Sequence, residues 1–212
     1  MSTRTPARRP AVTWDNGAMG VHLDTQRLVL RHFTAADVDD LVELDGDAEV
    51  MHFVTGGLPT PREEIEYVIL PEWLAYYAES SHLGFWAAEE KATGRFIGWF
   101  HFRPGEGHAD DEPELGYRLV RSAWAKGYAT EGCRALIDDG FAERGVRRVL
   151  AETMVVHTAS RRVLEKCGLR QVRVFHADWP YRIPGDEHGD VQYALGRAEW
   201  ERRRRADPPN HP

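Results

Sequence analysis

Cysteine is scarce in this chain, with two in 212 residues, Cys133 and Cys167. They allow one bridge at most. Each falls on the apolar face of a predicted helix, so two reduced thiols in a cytoplasmic core are expected in place of a disulfide scaffold. Long apolar runs are missing as well. None approaches the roughly 20 residues of a membrane helix, so no membrane partner is expected. Residues 1–20, "MSTRTPARRPAVTWDNGAMG", lack the apolar core of about 7–15 residues that a secretory signal carries. They read as a disordered or extended arm. Histidine is present ten times, yet HExxH and Cys/His clusters are absent, and no metal site is expected. The GxxxxGK(S/T) phosphate loop and the GxGxxG dinucleotide fingerprint are absent too, which sets both nucleotide folds aside.

Acids predominate among the charges. Against 27 Lys+Arg stand 34 Asp+Glu, a net charge of −7. Seven arginines but only two acids lie in the chain ends (Arg4, Arg8, Arg9 and Arg202–Arg205; Glu201 and Asp207), so the body between them stands at −12. An acidic body argues against nucleic acid as a partner and suits a cationic small molecule or peptide.

The periodicities give a mixed order, β-α-α-β-β-β-α-β-α-β-β. "RLVLRHF" (27–33) alternates as a strand. Thr34 caps a helix that ends at Gly46. Thr60 caps the next, with Pro61 at its first position, and Pro71 must kink or restart it. "LGFWAAEE" and "RFIGWFHF" form a hairpin, and "ELGYRLV" is the strand after it. A helix to Gly145 follows, with Ala129, Cys133, Leu136, Ile137 and Gly140 at helical spacing. "VRRVLAETMVV" is a strand, "TASRRVLEKCG" a short helix, and "LRQVRVF" and "VQYALG" two more strands. Such an order packs as an α/β fold of the mixed α+β kind, a sheet with helices on both faces. One domain over 21–200 and a basic, disordered tail over 201–212 are expected.

The junction "SAWAKGYATEG" (122–132) is unusual. A strand passes into a helix through Ala, Lys, Gly and Ala, with no acid before Glu131. Helix starts favour acids and Ser, Thr, Asp or Asn caps. Small residues at an uncapped helix start suit an external anion, because the free N–H groups can approach a phosphate closely.

"WAKGYATEG" after "ELGYRLV", and "TASRRVLEKCGL" further on, resemble the GNAT superfamily of acyl-CoA-dependent N-acyltransferases. More narrowly they resemble the branch of the ribosomal-protein N-terminal acetyltransferases. The resemblance covers roughly residues 22–200. It implies a mostly antiparallel sheet splayed at its centre, and acetyl-CoA (coenzyme A) as the acyl donor. The family's pyrophosphate loop, Q/R-x-x-G-x-G/A, falls here on Trp124, Ala125, Lys126, Gly127, Tyr128 and Ala129, and backbone amides up to Thr130 would hold the pyrophosphate. Ala125 stands where the branch usually has Gly. Leu119, Val120 and Arg121 would meet pantetheine and the acyl group, and a strand N–H would polarise the thioester carbonyl. The branch's N-x-x-S motif reads His157-Thr158-Ala159-Ser160, so His157 replaces Asn. A homodimer is compatible with the resemblance.

Acyl transfer to an amine needs a neutral amine, donors for the oxyanion and a donor for the departing thiolate. Glu114 is the candidate base, with Glu152 a weaker one at a surface or strand edge. Ser160 is the candidate donor to sulfur. Acceptor choice is assigned to the loops, with Asp110, Asp111 and Glu112 drawing a cation and His176, Trp179 and Tyr181 forming a wall. The expected function is acetyl-CoA-dependent N-acetylation of a primary amine, on a protein N-terminus or a small molecule. The alternative is an acyl-CoA-binding sensor or interaction module without turnover.

Overall fold

The structure, a computed structural model, describes residues 20–79, 83–105, 107–179 and 182–206. The expected arm up to residue 19, Tyr181 and tail residues 207–212 lie outside the described residues. The chain begins with a hairpin of β1 (Val21–Asp24) and β2 (Leu28–Arg31). Thr34 caps a short 3-10 turn, reciprocally with Asp37, ahead of α1 (Val38–Asp45). The single turn α2 (His52–Thr55) and α3 (Arg62–Glu64) lead through a π turn, Ile65–Ile69, into α4 (Leu70–Glu79). Then come β3 (Gly84–Glu90), β4 (Arg95–Pro104), β5 (Pro113–Leu119), α5 (Tyr128–Glu143) and β6 (Arg148–Met154). The chain closes with α6 (Thr158–Lys166), β7 (Arg170–Phe175), β8 (Asp190–Gly196) and α7 (Arg197–Ala206).

The eight strands of the described residues share one sheet, in the order β1-β2-β3-β4-β5-β6-β8-β7. Every neighbouring pair is antiparallel except β5 and β6, which run parallel and meet at one register position, Glu114 opposite Leu150. Beyond that point each strand stays with its own antiparallel partner. β5 follows β4 to Gly98 and Leu119, and β6 follows β8 to Met154 and Asp190. The two halves of the sheet therefore part like a V. Gly98 holds β5 to its side: its φ is +134°, and a Cβ there would strike the backbone of Arg118 and Leu119.

Two cores cover the two faces. On one, Phe100, Phe102, Leu115 and Leu119 pack under Leu136, Ile137 and Phe141 of α5. Gly132 and Gly140 let the α5 backbone lie on the rings of Phe100 and Phe102. Replacing Phe100 with Ala would cost about 3–5 kcal/mol. On the other face, Phe85 and Trp99 pack under Leu41 and Leu44 of α1 and Ile65 and Leu70 of the π turn and α4. Cys133 and Cys167 are free and buried in the first core.

Three local expectations need correction. β1 was not anticipated; it is a short, partly exposed edge strand whose pairing with β2 supplies what its sequence pattern lacks. Thr60 does not cap a helix: its hydroxyl donates to Asp45 (3.1 Å), and the helix begins after Pro61. The break expected at Pro71 takes the form of the π turn, after which α4 starts at Leu70 with Pro71 in its first turn. The proline ring would meet the carbonyl of Tyr67 in a regular α-helix, and Tyr67 lies in the wider π turn. Residues 201–206, expected in the disordered tail, are helical. Arg170 and Arg203 both pair with Glu199 of α7 (2.8 and 2.7 Å), and Trp200 packs on Phe141.

Candidate active site

The junction after β5 forms a cradle. Ala125 (φ +57°) and Gly127 (φ +85°) both adopt the left-handed conformation, and Ala125 is the only non-glycine residue to do so among those described. Gly127 is the N-cap of α5, and no side chain caps that helix. Glu131 N–H is the first to bond back along the helix, to Gly127 O (3.0 Å). The N–H groups of Tyr128, Ala129 and Thr130 precede that first bond and have no helical partner. The indole N–H of Trp124 donates to Leu119 C=O (2.8 Å) and ties the loop to the end of β5. Two left-handed residues around an uncapped helix start make an anion-binding concavity. Glu131, the one acid of the first turn, is turned away. Its carboxylate accepts from Thr25 Oγ1 (2.7 Å), Arg27 N (2.7 Å) and Arg27 Nε (2.6 Å).

The cradle leads into the V. Val120 N–H donates to Ile97 O (3.0 Å) on the β4 side. Antiparallel hydrogen bonding alternates along a strand, so Leu119 N–H points to the other edge, where β6 has departed. Tyr117 shares that edge. Burial holds its phenol well above the ordinary range, hence neutral, against the opposing pull of the Ser160 hydroxyl. Tyr117 was missed in the sequence; the alternation of "ELGYRL" puts it on the Leu115/Leu119 face and was the signal available. His157 is the N-cap of α6 but makes no side-chain cap. Its ring stacks on Phe53 at 4.1 Å and 17°, and burial with His52 nearby lowers its pKa to about 4.

Glu114 sits at the last point where the sheet is joined. It faces a cavity of about 220 Å³ lined also by Glu152, Phe53, Met154, Phe175 and Trp179, with Asp190 behind. Burial, then the charge of Glu152, raises the Glu114 pKa against the opposing pull of Arg103 and His108. Gln192 donates to Glu152 (2.8 Å), and Asp190 accepts from the Trp179 indole (3.1 Å). The cavity thus offers carboxylates between aromatic walls.

Residues 27–170 match the acetyltransferase (GNAT) domain family. The chain belongs to that family. It is 34% identical over 185 residues to the FsC-acetyl coenzyme A-N(2)-transacetylase of Aspergillus fumigatus, covering 84% of this chain and 77% of that protein. Among solved structures, an aminoglycoside acetyltransferase in complex with coenzyme A superposes with a TM-score of 0.65 at 20% identity, covering 84% of this chain and 99% of the other. A ribosomal L7/L12 α-N-protein acetyltransferase in complex with coenzyme A gives 0.67 at 18%, covering 81% and 95%. Acetyl coenzyme A is the cosubstrate of this GNAT acetyltransferase.

Leu119 is buried in the first core at the end of β5, Val120 is half-buried after it, and Trp124 and Ala125 through Thr130 run from there into the start of α5. Arg121 starts the 3-10 turn between them, and its guanidinium pairs with Glu49 (3.0 Å). Ser160 stands in the first turn of α6 beside Tyr117, while the His157 ring packs on Phe53. Glu114 and Glu152, the latter expected at an edge, share the cavity with Trp179. His176 lies outside it, its ring nitrogen 3.3 Å from Glu187 O. The acidic loop is also elsewhere. Asp111 and Glu112 both pair with Arg147 (3.1 Å each) and Asp110 is exposed, because parallel β5 and β6 bring the residues before each strand together.

Proposed function

We propose that this GNAT acetyltransferase transfers the acetyl group of acetyl coenzyme A to a primary amine held in the Glu114–Glu152 cavity, by direct attack in a ternary complex. The observation that carries the reading is the parting of β5 and β6 immediately beyond Glu114. One gap lies between an uncapped helix start with a free strand N–H and a half-buried carboxylate.

In this reading the amides of Tyr128, Ala129 and Thr130 hold the pyrophosphate, and the V between β5 and β6 takes pantetheine. Acetyl coenzyme A supplies an activated thioester carbonyl. Leu119 N–H donates to that carbonyl oxygen as negative charge gathers on it. Glu114, acting through water, takes the proton of the arriving ammonium so that the neutral amine can attack; the second proton leaves to solvent as the C–N bond forms. As the C–S bond breaks, the Ser160 hydroxyl, oriented by Tyr117, donates a hydrogen bond to the thiolate. The carboxylates and the Phe53, Phe175 and Trp179 walls favour an acceptor that arrives as a cation with an apolar flank. Cys133 and Cys167, free and buried, suit a reducing cytoplasm.

The test is thiol release from acetyl coenzyme A across a panel of primary amines, with wild type and Glu114→Gln. Amine-dependent release that Glu114→Gln lowers supports the assignment. Release unchanged by Glu114→Gln removes Glu114 from the mechanism.

A further inference from the structure

Arg27 lies just after the turn between β1 and β2, far from the cradle in sequence, yet every part of it is spent there. Its backbone N–H and Nε hold the two oxygens of Glu131 (2.7 and 2.6 Å). Its Nη1 donates to Lys126 C=O (2.9 Å). Its guanidinium lies over the Tyr128 ring, 4.6 Å from the centroid, and Nη2 would sit 3.3 Å from a Cβ on Gly127. Tyr128 is held at its far end by Glu90, to which its hydroxyl donates. One side chain therefore touches three consecutive residues of the cradle, 126 to 128, and the acid of the first helical turn.

Two physical consequences follow. The Lys126 carbonyl is drawn outward, so the peptide N–H groups on either side of it keep the inward orientation that an anion needs. The Glu131 carboxylate, one turn from Gly127, would oppose a diphosphate; the Arg27 guanidinium cancels that charge at contact distance. Burial alone would raise the Glu131 pKa, but the hydrogen bonds from Thr25 and Arg27 prevail and keep it below the ordinary range, ionised and bound.

We propose that Arg27 is a positioning residue of the coenzyme A site: it fixes the 126–128 turn in its phosphate-receiving form and neutralises Glu131 beside it, without touching the reacting atoms. This rests on the reading that residues 125–130 take the pyrophosphate.

The test is titration of wild type, Arg27→Gln and Arg27→Lys with two probes, coenzyme A and pantetheine, which lacks the phosphates. No acceptor is needed. Wild type is expected to bind coenzyme A more tightly than pantetheine. Arg27→Gln should weaken coenzyme A about tenfold, the loss of one charge-assisted contact, and leave pantetheine unchanged. Arg27→Lys, which restores the charge without the fork, should recover part of the loss. Should Arg27→Gln not fold, Arg27→Lys alone carries the same comparison. Equal weakening of both probes, or none for coenzyme A, overturns the role of Arg27. A wild type that does not distinguish the two probes overturns the pyrophosphate reading itself, and the inference with it.

Discussion

Ala125 is held at φ +57°, a conformation that glycine adopts freely and alanine does not. A left-handed residue with a Cβ costs about 1–2 kcal/mol. Ala125→Gly removes that cost and in exchange gives the unfolded chain extra freedom worth about 0.4–1 kcal/mol. The balance is a stabilisation of about 0–1.6 kcal/mol, which for a domain of this size raises Tm by up to about 6 °C. Ala125→Val, with a branched Cβ in the same conformation, should go the other way by at least as much. Urea denaturation of the ligand-free protein measures both. Coenzyme A affinity should not fall in Ala125→Gly, since removing the methyl group opens the approach to the cradle. A destabilisation of Ala125→Gly by about 0.5 kcal/mol or more would refute the left-handed geometry at 125 and, with it, the convergence of N–H groups that makes the loop an anion site.

Three other predictions concern the chemistry. Glu114→Gln should cut kcat by about 10²–10⁴-fold. Because Glu114 is raised and must be deprotonated to act, kcat/KM should fall as pH drops through a value above the ordinary glutamate range, and Glu152→Gln should move that limb to lower pH. By linkage, a carboxyl raised in the folded state stabilises below its unfolded pKa and loses that contribution as pH rises through the folded value, so Glu114→Gln should be more stable than wild type at neutral pH. Ser160→Ala should lower kcat more than it raises the KM for acetyl coenzyme A, and Tyr117→Phe should lower it in the same direction; an unchanged kcat in both removes the pair from the mechanism. His157→Asn should lose the stack on Phe53, about 0.5–1.5 kcal/mol of stability by thermal denaturation, while retaining activity.

The sequence disclosed those parts of the fold that depend on neighbours along the chain. The uncapped helix start after "WAKG", the alternation of "ELGYRLV" and the cap at Thr34 are local signals, and the structure shows each of them. Distant contacts were beyond its reach. Nothing in "TQRL" announces that Arg27 meets Glu131, 104 residues on. Asp111 and Glu112 read as bait for a cation because Arg147, their partner across the β5–β6 crossover, is invisible to a local reading. Glu152 looked like an edge residue, as it is in exposed area, but the fold brings it beside Glu114. Pro71 announced a break in the helix, and the π turn before it is the form that break takes. The cavity beside Glu114 was the least legible part, since it is assembled from α2, β5, β6 and the segment after β7.

Incubation of the protein with acetyl coenzyme A and a panel of primary amines, read by mass, tests the central claim most directly. The account predicts that at least one amine, cationic and with an apolar flank, gains a single acetyl group only when the protein is present. Tight binding of coenzyme A with no acetylated amine across the panel would contradict it and would make the chain a binding module on the GNAT fold.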